Sequence, residues 1–251
     1  MAFDPQGRYA TPGAGARTIE RAAFDEGLRQ YMLRIYWYMA GGLLVSGIAA
    51  ALVMYTPLGG VFLAVNPFGR VVLTGLGWVA LLAPIGLIFW MSMGLRSMSA
   101  STLQALYWVF VALQGIGLAP VLLAYTGASV TRVFFITAAS FAALSLYGYT
   151  TRRSLSGFGS FLVMGLFGII IASLVNMFLG SAGLTFVISV IGVLVFAGLI
   201  AYDTQALKET YAEGVGREVE TKTAVWGALQ LYLNFLNLFL FLLRLLGNSR
   251  N

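Results

Sequence analysis

Long apolar runs broken by short polar or glycine- and proline-containing connections dominate this 251-residue chain. Seven runs have about the 20 residues a helix needs to cross a bilayer: Ile35–Tyr55, Val71–Gly94, Leu103–Tyr125, Val133–Thr150, Phe158–Leu179, Thr185–Tyr202 and Val225–Leu246. Backbone polar groups find no water inside lipid, so each run is expected to be helical throughout. A membrane β-barrel would show apolar and polar residues alternating over about ten positions, and no such alternation is present. The expected fold is therefore an all-α integral membrane bundle of seven helices. A six-span variant, with the last helix re-entrant, stays open at this point.

Before the first run the pattern changes. Met1 to Ala16 is rich in proline and glycine and reads as a disordered tail. Thr18 to Arg34 reads as a short amphipathic helix with Thr18 as its N-cap. The expected division is a partly disordered cytoplasmic tail over 1–30 and a transmembrane domain over 31–251. The first 30 residues do not read as a cleavable signal peptide, being mixed in charge and followed by a run of spanning length.

Composition agrees with the pattern: 59% of residues are hydrophobic and 10% charged, where a soluble domain carries about 25% charged. There is no Cys and no His. That removes thiolate metal sites, disulfides, the usual zinc ligand and the side chain that titrates near neutrality.

Charge placement predicts orientation. With the N-terminus in the cytoplasm, the inside segments hold eleven basic residues: Arg8, Arg17, Arg21, Arg29, Arg34, Arg96, Arg152, Arg153, Lys208, Arg217 and Lys222. The outside segments hold four: Arg70, Arg132, Arg244 and Arg250. The net charge of +6 reflects this bias, with the cations scattered singly at helix ends, so no nucleic acid is expected as a partner. Glycines four apart within a span are absent, so the glycine content reads as internal packing and not as a GxxxG dimer face.

Few polar residues interrupt the spans. Asp203 closes the sixth run, in a chain with no other Asp or Glu from Gly27 to Tyr202. If that helix continues to Lys208, Asp203 lies about 7–8 Å inside its end. A carboxylate opposed by both lipid and helix dipole is a functional candidate; an interfacial, solvated or ion-paired carboxylate is the plain alternative. In the last run Gln230, Asn234 and Asn237 are spaced to share one face. They could line a polar path or serve as interhelical hydrogen-bonding groups. Arg96, the basic residue of the second connection, is the candidate counter-charge for Asp203.

The stretches LVFAGLIAYDTQALKETY (Leu194–Tyr211) and ALQLYLNFLNLFLFLLRLLG (Ala228–Gly247) closely resemble bacterial members of the Bax inhibitor family, the transmembrane Bax inhibitor motif proteins. The similarity extends back to Tyr147. It implies a seven-helix bundle with a central helix wrapped by the others, in the bacterial plasma (inner) membrane. It also implies a pH-sensitive calcium leak, gated by two aspartates that share a proton. The first falls at Asp203, in AYDTQ. The second falls at Asn234, in YLNFLNLF, where many relatives carry Asp. With one carboxylate in place of two, the expected pH response is a one-proton curve, and calcium affinity is expected to be low.

The expected function is thus a calcium or cation leak with Asp203 and Asn234 at the gate and Gln230 and Asn237 along the path. The lipid bilayer is its setting, the cation its cargo, and neither cofactor nor certain metal ligand set is expected. The alternative is a regulatory protein without transport, acting on a membrane-protein partner through the tail and the connection Lys208 to Thr223. Some bacterial relatives are described as modulators of a membrane-bound protease, and family members elsewhere restrain cell death. Enzymatic activity is not expected: without His there is no serine–histidine chemistry, and one membrane aspartate makes no aspartyl dyad.

Overall fold

The computed structural model describes residues 14–68, 71–212 and 214–250, with the side chains of 14–23 outside that description. Seven helices are long and apolar enough to span a bilayer among the described residues. These are α1 (Ala14–Tyr55), α3 (Gly75–Gly94), α4 (Ala100–Leu123), α5 (Gly127–Thr150), α6 (Ser156–Leu179), α7 (Ala182–Thr210) and α8 (Arg217–Leu246). Between α1 and α3 lie a single turn, α2 (Gly59–Phe62), and a two-stranded hairpin, β1 (Leu63–Val65) with β2 (Val71–Leu73).

The helix starts have local causes. Thr74, Ser99, Thr126 and Ser181 sit at N-caps, and each side-chain oxygen accepts from a backbone N–H three residues on. This satisfies a donor that the helix itself leaves orphaned. At the far end of α6, Gly180 adopts φ 61°, and its N–H closes on Asn176. That left-handed residue stops the helix where glycine alone is unstrained.

Several boundaries differ from the sequence expectation. Helix α1 is already formed at Ala14, ahead of Thr18, and runs unbroken past residue 30; residues 1–13 of the expected tail lie outside the described residues. Val71–Leu73, assigned to the second span, is strand β2. The expected loop Lys208–Thr223 is mostly helix, since α7 continues to Thr210 and α8 begins at Arg217. Lys208, Glu209, Arg217, Glu218, Glu220 and Lys222 belong to helix ends, where Lys222 pairs with Glu218 one turn away and Glu220 pairs with Arg34 of α1; Glu213 lies outside the described residues. Helix α8 is unbroken over 30 residues and has the length and apolar composition to span.

Helix α8 forms the axis of the bundle. It packs against α1, α4, α5 and α7, while α3 leans on α4 and α6 on α7 from outside. Tyr232, Leu231 and Leu238 of α8 are fully buried. Trp78, Phe89 and Trp90 on α3 and Phe161, Phe167 and Phe178 on α6 face outward. That inversion suits lipid, which solvates large apolar side chains. The close approaches are made by small residues: a Cβ at Gly115 of α4 would overlap the Ser46 carbonyl of α1. Such contacts let helix backbones approach where no hydrophobic force drives them together.

Candidate functional site

The last third of α7 is tied down on three sides. Consecutive helix residues point about 100° apart, and Asp203, Thr204 and Gln205 each reach a different neighbour. Asp203 turns to α8, where Asn234 donates its Nδ2 hydrogen to Oδ2 at 2.6 Å. Thr204 turns to α5. Its hydroxyl donates to the Ile200 carbonyl of its own helix (2.7 Å), which leaves it to accept from Ser145 at 3.1 Å. Ser145 in turn accepts from Tyr36 of α1 at 2.6 Å. Gln205 turns to the α5–α6 connection: its Oε1 accepts from the Leu155 N–H (2.6 Å) and its Nε2 donates to the Arg153 carbonyl (2.9 Å). One turn further, Lys208 Nζ donates to the Tyr149 carbonyl at 2.8 Å and lies over the Tyr149 ring.

Asp203 therefore sits seven residues inside the end of α7, about 10 Å by helical rise, deeper than the sequence alone suggested. It is half-buried, whereas Asn234 is 6% exposed. The carboxylate makes no ion pair among the described residues. Its close partner is a neutral amide, and a charge-assisted hydrogen bond of this length is a strong one.

The other expected site residues divide. Asn237 is half-buried and spends its amide hydrogen on the Leu233 carbonyl of its own helix. Gln230 is half-buried and makes no hydrogen bond to the protein among the described residues. Arg96 is exposed in the α3–α4 turn and forms no ion pair with Asp203. Sharing a membrane face does not fix where a residue stands around the bundle, so Arg96 is set aside as counter-charge. No group of three His, Cys, Asp or Glu side chains able to hold a metal ion occurs among the described residues. Asp203 with nearby amides offers fewer oxygens than the six to eight calcium prefers.

Sequence reasoning missed Tyr36, Ser145, Thr204 and Gln205. A signal existed for the last two: Asp203-Thr204-Gln205 is a run of three polar residues at the end of an apolar helix, and only its first member was read. A separate knot lies deeper. Ser46 of α1 donates towards the carbonyls of Gly42 (2.9 Å) and Val111 (2.6 Å) and meets the Tyr232 hydroxyl of α8 at 2.7 Å.

Comparison with known proteins places this architecture. The protein-family model described as inhibitor of apoptosis-promoting Bax1 matches residues 28–251. An uncharacterized protein of Rickettsia prowazekii is 46% identical over 235 residues, covering 93% of this chain and 96% of its own. One from Caulobacter vibrioides is 48% identical over 228 residues, 90% of this chain and 91% of its own. The inner membrane protein YbhL of Escherichia coli K12 is 41% identical over 231 residues, 89% of this chain and 94% of its own. With seven apolar helices and a family match across nearly its whole length, the chain belongs to the Bax inhibitor family and is a multi-pass integral membrane protein, like its inner-membrane relative.

Proposed function

We propose that the chain is a pH-sensitive leak for calcium or another cation, oriented with its N-terminus inside, in which protonation of Asp203 switches the contact between α7 and α8. The hydrogen bond from Asn234 to Asp203 carries this reading. An ionised carboxylate can only accept, so it takes the amide N–H of Asn234. A protonated carboxyl gains an O–H and can donate to an amide oxygen. One proton thus reverses the direction of hydrogen bonding between the two helices. A switch needs such an element with two discrete arrangements.

The cation is cargo, not a resident ligand. Asp203 would give it a single charged contact, with Gln230 and Asn237 as neutral oxygen donors along α8. Weak binding suits a leak, since a tightly held ion does not leave. In this reading the protein transports and does not catalyse.

The test is calcium flux into liposomes holding purified protein, from pH 5 to 8, for wild type, Asp203→Asn and Asn234→Asp. The expected result is flux that needs Asp203 for its pH response and a steeper response in Asn234→Asp. Flux equal to that of empty liposomes in all three would sink the leak reading and favour a regulatory protein acting on a membrane partner.

A further inference from the structure

A second site lies on the outside of the bundle and is independent of the leak reading. Helices α1 and α5 both pack on α8 but do not close on each other. The gap between them is an open groove of about 600 Å³, within the size range of small-molecule sites. Its walls are almost wholly apolar, with Leu33, Ala40 and Leu43 on α1 and Ala142 and Leu146 on α5. The Tyr36–Ser145 hydrogen bond crosses its floor, and Thr204 stands behind.

We propose that this groove holds one acyl chain of an anionic phospholipid, with the phosphate at the end marked by Arg29. Three observations point to that occupant. The lining from Met32 to Leu43 rises about 16 Å along the helix, roughly half the 30 Å hydrocarbon core, which is the depth of one leaflet. Its exposed lining residues Leu33, Ala40, Ala142 and Leu146 are apolar and belong to two helices of spanning length, a surface suited to lipid and not to water. Its mouth is basic: Arg29 lines it, and Lys208 is bonded to its lining residue Tyr149. Arg152 and Arg153 follow Tyr149 within four residues. Glu26 takes Arg29 at 3.3 Å, but Lys208, Arg152 and Arg153 make no ion pair among the described residues. These cations are available to a phosphate, and each basic residue beside an anionic headgroup strengthens binding several-fold.

The occupied groove would press on the hydroxyl chain from Tyr36 through Ser145 to Thr204, the residue next to Asp203. The lipid is thereby placed to bias α7 without touching the carboxylate.

The test uses full-length protein in vesicles of phosphatidylethanolamine with phosphatidylglycerol bearing a photoactivatable diazirine on one acyl chain. Crosslinked residues are mapped by mass spectrometry. Labelling is expected to concentrate on the α1 and α5 groove residues and to be competed by unlabelled phosphatidylglycerol. Ala40→Trp and Ala142→Trp fill the groove from exposed positions without entering the core, and each should abolish the concentrated labelling. Replacing Arg152 and Arg153 together by Gln should weaken the concentrated labelling about fivefold or more. Labelling spread evenly over lipid-facing residues of α3 and α6, or unchanged in both tryptophan variants, would overturn the site. Equal competition by phosphatidylcholine, or competition by free fatty acid alone, would overturn the anionic phospholipid as its occupant.

Discussion

Gly148 of α5 lies so close to Ala201 of α7 that a Cβ on the glycine would overlap the alanine carbonyl oxygen. The obstacle is backbone, which cannot swing aside as a side chain can. Gly148→Ala should therefore push the two helices apart and cost about 1–3 kcal/mol, the usual range for overpacking. Thermal unfolding in detergent should show a lowered Tm, with Gly47→Ala, where nothing lies within 4 Å, as the neutral control. The Ser145–Thr204 bond, 3.1 Å long across the same contact, should lengthen or break.

The Ser46 knot predicts an ordered set of losses. Because the Ser46 hydrogen serves backbone carbonyls, Tyr232 must be the donor between the two hydroxyls. Ser46→Ala strands the fully buried Tyr232 hydroxyl and should cost about 1–3 kcal/mol. Tyr232→Phe removes the donor itself and leaves Ser46 bonded to the Gly42 and Val111 carbonyls, so it should cost nearer 0.6 kcal/mol, typical of hydrogen bonds in membranes. The double variant should be less damaging than the two losses added, as a double-mutant cycle on denaturation would reveal.

Gln205 should govern how firmly the α5–α6 connection is held. In Gln205→Ala both the Leu155 N–H and the Arg153 carbonyl lose their partner. Tryptic cleavage after Arg152 or Arg153 should then quicken by about tenfold, the equivalent of one to two hydrogen bonds. Gln205→Glu keeps the acceptor and loses the donor, so its cleavage rate should fall between. A rate unchanged from wild type in the alanine variant would mean the connection is fixed by something other than this amide.

The shape of the pH response distinguishes one carboxylate from two. Wild type should titrate as a single proton, Asp203→Asn should lose that step, and Asn234→Asp should show two macroscopic steps belonging to the pair. The slope of flux against pH, fitted for proton number, is the measurement. A two-proton wild-type slope would mean that another group shares the switch.

What the sequence made legible follows from what a bilayer forbids. Lipid leaves no choice about backbone hydrogen bonds, so the seven apolar runs announced seven helices, and a carboxylate at Asp203 stood out because charge there is costly. Hydroxyls carry no such signal. Ser46 and Ser145 can bond back to their own helix wherever they fall, so nothing in the chain marked them as reaching a neighbour, and Thr204 was marked only by its place beside Asp203. The hairpin failed for a different reason: Val71–Leu73 is as apolar as the helix that follows, and a three-residue strand is too short to show its alternation. Glu218 and Lys222 looked like loop composition but are spaced for one helical turn. Azimuth around the bundle was legible only for Asn234, through a resemblance that pairs its position with that of Asp203; Arg96 had no such guide.

The axis of this bundle is made after the six spans that surround it. Helix α8 contacts α1, α4, α5 and α7, so during synthesis those four stand around an unfilled centre until Leu246 has left the ribosome. Ser46 waits for Tyr232, and Asp203 waits for Asn234. Insertion of the first six spans is then an open-ended state, exposed to membrane quality control, and a chain cut short before Arg217 has no core to close upon. A stop codon placed before Arg217 should leave a product that is degraded and not a partly working one.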